Sequence, residues 1–267
     1  MSEYFFLTNV GNEIINTINL SKFTSNRLSS LNKEIRFKVG VYIQKHDDIK
    51  WQKIDEVGFN NTNNIKLCST DYRLALGQLA VIIPSNIEMV LNDFYDVLPS
   101  PLSRKIDFSP VAERAAIYFE KGKAFSSYQG EFPHQMSCFK GSFLTFDPLM
   151  KSQNSSIKTK MILINIHTKK LNKKEIFTLN MANSLSNKII LSKDYVHNSA
   201  CIVDIQSFND EELCFYSKDT LGIPIFISYD EDRYLSVEHN HPPSEYFYNN
   251  KIDGQKILKH NWLSKLP

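Results

Sequence analysis

Glycine is scarce in this 267-residue sequence: there are nine, and none are clustered. That excludes a glycine-rich phosphate loop, and no GxSxG elbow occurs either. Cysteine is also sparse. Cys68, Cys138, Cys201 and Cys214 show no CxxC spacing, so neither a zinc-finger pattern nor a disulfide framework is indicated. All but Cys138 sit in apolar runs, as small buried thiols do in a reducing compartment. No run approaches the roughly 20 apolar residues of a membrane span. The first twenty residues carry no basic leader and no small-residue cleavage site. A cytoplasmic protein without a membrane span is expected. Charge of one sign is missing too. The net charge is +2, and no basic field argues for nucleic acid as a partner.

What the sequence does have is a repeated strand signal. Hydrophobic residues make up 42% and charged residues 22%, the range of a globular chain with a real core. Short runs rich in Val, Ile, Phe and Tyr alternate with Asn-rich turns. In the first half they fall at Phe37 to Gln44, Trp51 to Phe59, Asn64 to Cys68, Gln78 to Pro84, Ala115 to Phe119 and Ala124 to Gln129. In the second they fall at Lys160 to His167, Glu175 to Asn180, Lys188 to Val196, Ala200 to Ile205, Glu212 to Tyr216, Ile223 to Ser228 and Arg233 to His241. Seven strands in about a hundred residues make a β-sandwich. Helical pattern is confined to Thr24 to Ile35 and to Asp253 to Leu266, where Ile257, Trp262 and Leu266 share roughly one face.

The expected fold is all-β. An N-terminal β-rich domain spans 1–146 and a polar junction 147–159. A seven-stranded sandwich with a terminal helix spans 160–267. The segments "AIYFEKGKAFSSYQGEFP" and "IFISYDEDRYLSVEHNHP" overlay without a gap, Pro133 on Pro242, Phe125 on Tyr234 and Ser127 on Ser236. An internal duplication would leave such a likeness.

Two polar concentrations are candidate sites. The first is "SVEHNHPPSEYFY", Ser236 to Tyr248. On a strand, alternate residues share a face, so Leu235, Val237, His239 and His241 form one row and Glu238 lies on the other. The apolar start of the row puts the histidines on the core side at the rim. Pro242 and Pro243 then end the ladder, since neither donates a backbone hydrogen bond. Two imidazoles at i and i+2 can share one divalent transition metal if a third ligand joins them. Glu245 and His134 are the candidates for it. The spacing His239-x-His241-x3-Glu245 resembles the first half of the cupin metal motif, though Arg233 stands where that motif has a glycine. No family is assigned on this. A histidine pair can equally cap a strand by bonding loop carbonyls.

The second concentration is "ERAAIYFEKGKAFSSYQGEFPHQM", Glu113 to Met136. Arg114 offers a planar fork for anions, and Tyr128 a stacking face with a polar tip. Glu131 and His134 follow where a strand ends, in the kind of loop that carries function. Lys121 and Lys123 read as an ordinary charged turn around Gly122. Three functions fit. The first is a protein binding a polar small molecule, such as a carbohydrate or glycan precursor, through Arg114, Tyr128, Glu131, His134, Glu238 and Glu245. The second is a metal-dependent or acid/base enzyme centred on His239 and His241. The third is a structural module whose sheet edges pair with a partner.

Overall fold

A computed structural model describes residues 3–20, 37–45, 48–59, 65–85, 87–101, 116–128, 132–134, 137, 141–147, 156–170, 173–205, 212–231, 233–239 and 261–267. The fold is all-β, with four antiparallel sheets and a short helix near the C-terminus. Each expected strand is found, with boundaries moved by a few residues, and Glu3–Thr8, Ile15–Asn19, Phe94–Tyr95, Phe132–Pro133 and Phe143–Phe146 are strands besides. Among the described residues no helix is long and apolar enough to cross a membrane.

Contacts divide the chain into two units. The first comprises Met1–His134 with Thr168–Lys174, the second Gln135–His167 with Glu175–Pro267. The first unit holds β1 (Glu3–Thr8), β2 (Ile15–Asn19), β3 (Phe37–Gln44), β4 (Trp51–Phe59), β5 (Lys66–Cys68), β6 (Leu79–Ser85), β7 (Phe94–Tyr95), β8 (Ala116–Lys121), β9 (Ala124–Tyr128) and β10 (Phe132–Pro133). Its sheets run β10-β1-β6-β3-β4-β7 and β5-β2-β8-β9. β6 is buried along its whole length, as its unbroken apolar run requires.

The second unit holds β11 (Phe143–Phe146), β12 (Lys158–Ile164), β13 (Ile176–Asn183), β14 (Ile189–Val196), β15 (Ala200–Asp204), β16 (Leu213–Ser217), β17 (Ile223–Tyr229) and β18 (Leu235–His239). Its sheets run β11-β16-β13-β14 and β15-β12-β17-β18. They meet face to face. Phe143, Phe177, Leu179, Met181, Leu213 and Phe215 from one sheet share a core with Met161, Leu163, Cys201, Val203 and Phe226 from the other. The sequence reading left Phe143–Phe146 with the first half. The structure pairs it with β16, Leu144 opposite Tyr216, as an eighth strand of the second sandwich.

One strand order serves both units. Leave out the two-residue β7 and β10, and number the strands of each unit in chain order. Both then have one sheet running first, sixth, third, fourth and another running fifth, second, seventh, eighth. The hairpins overlaid in the sequence, β8–β9 and β17–β18, are the seventh and eighth strands of each. The gapless overlay itself does not hold. β8 and β9 are joined by Gly122 and Lys123 alone, with Gly122 at φ 57°, a conformation that suits glycine in a two-residue hairpin. The β17–β18 connection runs from 230 to 234, with Tyr229 opposite Leu235.

Candidate functional site

A polar concavity of the second unit lies at one end of its sandwich. It encloses about 610 Å³ and is lined by Gly141, Ser142, His167, Glu175, Ile176, His197, Lys218, Asp219 and Thr220. Gly141 and Ser142 precede β11, and His167 follows β12. Glu175 leads into β13, and His197 leaves β14. Residues 218–220 join β16 to β17. The segment before β11 and the β12–β13, β14–β15 and β16–β17 connections, four in all, therefore converge on one polar mouth.

The base of this mouth is a hydrogen-bonded network built on Asn165. Its Nδ2 donates to Thr220 Oγ1 and to the Leu221 carbonyl, both at 2.7 Å. Its Oδ1 lies 3.0 Å from His197 Nδ1 and accepts the Asn198 backbone N–H at 3.1 Å. Asn198 Oδ1 in turn accepts the His167 backbone N–H at 2.6 Å. Asn165, His167, His197, Asn198 and Thr220 are all buried. Paired buried polar groups of this kind hold one arrangement, because losing a partner costs about 1–3 kcal/mol.

Local sequence explains why these groups meet. His197, Asn198 and Ser199 carry the chain from one sheet to the other, and Asn198 takes φ 65°. Asparagine visits that left-handed region more readily than most residues. The adjoining ladders are extended by one bond each, His197 N–H to the Glu175 carbonyl and Asn165 N–H to the Ser199 carbonyl, both 3.1 Å. Gly222 lets the β16–β17 connection sit close. A Cβ there would meet the Leu163 side chain at 2.5 Å and the Ile164 carbonyl oxygen at 2.9 Å.

Aromatic rings climb from the core to the mouth. Tyr195 stacks on Phe177 at 6.2 Å, Phe177 meets His197 at 5.1 Å, and His197 meets His167 at 5.4 Å. Burial pushes the Tyr195 hydroxyl up to about 12, so it stays neutral at ordinary pH. At the rim the Lys218 ammonium donates to the Leu266 and Pro267 oxygens at 3.1 and 2.9 Å. The exposed carboxylate of Asp219 and the half-buried one of Glu175 complete the charge there.

The residues singled out in the sequence are distributed differently. Arg114, Glu131, His241 and Glu245 lie outside the described residues, as do Pro242, Pro243 and the proposed helix Thr24 to Ile35. Tyr128 closes β9 opposite Ile117. His134 belongs to the first unit. Its Nδ1 lies 2.7 Å from the Tyr4 hydroxyl, and the two rings meet edge-on at 5.4 Å. Burial holds its pKa below the ordinary histidine value.

His239 and Glu238 are on β18, whose last residues pair with the first residues of β17. That strand end and the pocket therefore lie at the same end of the sandwich. The face assignment needs correction. Directly paired residues share a face, so His239, Val237 and Leu235 lie with Ile225, Ile227 and Tyr229. Glu238 lies with Phe226, which belongs to the core between the sheets. His239 thus continues the reverse face of the sheet, where Ile225 and Ile227 are fully buried. Among the described residues no three histidine, cysteine, aspartate or glutamate side chains gather as a metal site.

No protein-family profile, curated protein or solved structure matches this chain. The residue-level chemistry of the pocket therefore carries the functional argument by itself. His167, His197 and Asn165 were not singled out in the sequence. Its available signal was the His-Asn pair at 197–198, which recurs at 239–240 and 260–261.

Proposed function

We propose that this protein binds a polar small molecule of the carbohydrate class in the end pocket of its second sandwich. The observation that carries the reading is the lining itself, with two histidines, two carboxylates and a threonine around one cavity of about 610 Å³. Cavities of about 300–1,000 Å³ suit small ligands. Hydroxyl-rich ligands need donors and acceptors close together, and such side chains supply both. The site considered around "SVEHNHPPSEYFY" begins at the same end of the sandwich, which supports keeping the ligand class while moving its centre to His167 and His197.

Thermal unfolding in the presence of monosaccharides, amino sugars and sugar phosphates tests the reading. A ligand at a hundred times its Kd stabilises by about 2.7 kcal/mol, a clear rise in Tm. Asp219 is exposed, so Asp219→Asn should leave the unliganded Tm in place and reduce the ligand-induced rise. If no sugar raises Tm, or if Asp219→Asn leaves a rise intact, the pocket is not the binding site.

A further inference from the structure

The Asn165 amide can be placed in only one orientation. One of its ends faces the Leu221 carbonyl, which only accepts, and the other faces the Asn198 backbone N–H, which only donates. Exchanging amide nitrogen and oxygen would oppose donor to donor and acceptor to acceptor. Oδ1 is therefore the atom 3.0 Å from His197 Nδ1, and Nδ1 must carry the proton. A neutral imidazole has one N–H, so its second nitrogen bears the lone pair.

We infer that Asn165 holds His197 as the Nδ1–H tautomer, making Nε2 the proton-accepting atom of the pocket, and that the site selects ligands presenting hydroxyl or ammonium donors. This rests on the proposed function and names its ligand chemistry. Asn165 is a positioning residue, acting through His197. The rest of the lining agrees with an acceptor-rich site. Glu175 and Asp219 accept only, and the Lys218 ammonium is engaged by the Leu266 and Pro267 oxygens. A phosphate or carboxylate ligand would meet two carboxylates and a nitrogen lone pair against the single ammonium of Lys218. An amino sugar would meet partners for its ammonium and hydroxyl groups. When His197 binds a proton, it does so at Nε2, and the site then turns from accepting to donating at that atom.

Long-range proton–nitrogen correlation spectra of the full-length 15N-labelled protein test both parts at a pH where the histidines are neutral. His197 should show a protonated Nδ1 and an unprotonated Nε2. Asn165→Leu should remove that preference. The wild-type spectrum alone decides the matter if the variant does not fold. Glucosamine should move the His197 Nε2 resonance at roughly tenfold lower concentration than glucose 6-phosphate, a difference of about 1.4 kcal/mol. A wild-type His197 protonated at Nε2 overturns the inference while leaving binding in the pocket open to its own test. A stronger response to glucose 6-phosphate overturns the ligand class. Silence from both probes overturns the binding reading and the ligand class together.

Discussion

Among single residues, the least expected is Lys53. It is the third residue of β4 and is 2% exposed. Its ammonium is bonded to the Glu56 carboxylate and to the Met89 carbonyl, the latter at 2.6 Å. Lys38 joins the same carboxylate at 2.8 Å. Burial raises the Glu56 pKa, but its bonds to Lys38 and Lys53 outweigh this and hold it below the ordinary carboxylate value. A depressed folded-state value stabilises the protein above the unfolded pKa of about 4.3, and that stability is lost as pH falls through the folded value. Glu56→Gln should cost about 3 kcal/mol at neutral pH by leaving a buried ammonium poorly paired. The deficit should shrink at a pH acid enough to lie below the depressed folded value, where the wild-type carboxylate protonates too. Urea denaturation of both proteins at the two pH values checks this, and an unchanged deficit would remove the ionic explanation. Neither Lys53 nor the Asn165–His197 pair was legible in the sequence. A lysine between Gln52 and Ile54 looks like any polar strand position. Asn165 and His197 are distant in sequence and meet only when β12 and β14 have taken their places in different sheets.

At the level of elements, most strands could be read directly. β3 and β4 coincide with their sequence-based bounds, because their β-branched and aromatic residues sit between clear turns. β1 and β2 were missed for opposite reasons. Tyr4 to Leu7 is an apolar run buried on both faces, so it shows no alternation. β2 instead carries polar residues inward. Asn16 is fully buried, with Oδ1 accepting the Thr8 N–H at 2.9 Å and Nδ2 donating to the Tyr118 carbonyl at 3.2 Å. Such a strand reads as a loop. The C-terminal helix, described over 261–265, turns Leu263 rather than Trp262 to the sheet, while Leu266 is buried as expected. Leu263 and Leu266 cover Leu144, Ala182, Cys214 and Tyr216. Trp262 stays 37% exposed, edge-on to Phe146 at 5.3 Å. Leu263→Ala should therefore cost about 2–3 kcal/mol, and Trp262→Ala about 1 kcal/mol, near the value of an exposed aromatic pair. Chemical denaturation of the two variants gives the order, and the reverse order would return the tryptophan face to the sheet.

For the molecule as a whole, the all-β class followed from the density of strand signals. The far-UV circular dichroism spectrum should be dominated by β-structure, and helix at the ordinary third of a globular protein would contradict the fold. The domain pattern was harder to read. β11 belongs with a sheet whose other strands lie far along the chain, and pairing across such distances leaves no local mark. The shared strand order of the two units supports the duplication first suggested by the paired hairpins. It does so through topology, where residue-by-residue likeness is weak.

That strand order also has a consequence in time. Among the described residues β11 pairs with β16, Phe143 opposite Ser217, and β1 waits in the same way for β6, with Phe5 opposite Ile82. Each first strand must hold its edges unpaired until most of its unit has been made. Long loop closures of this kind slow folding toward the millisecond-to-second range of all-β domains. The pocket inherits the delay. Its walls begin at Gly141 and end at Thr220, so no ligand can find it before the sixth strand of the second unit has arrived. A molecule that binds there recognises paired strands rather than a nascent chain, and its presence records that the unit has been built at least through its sixth strand.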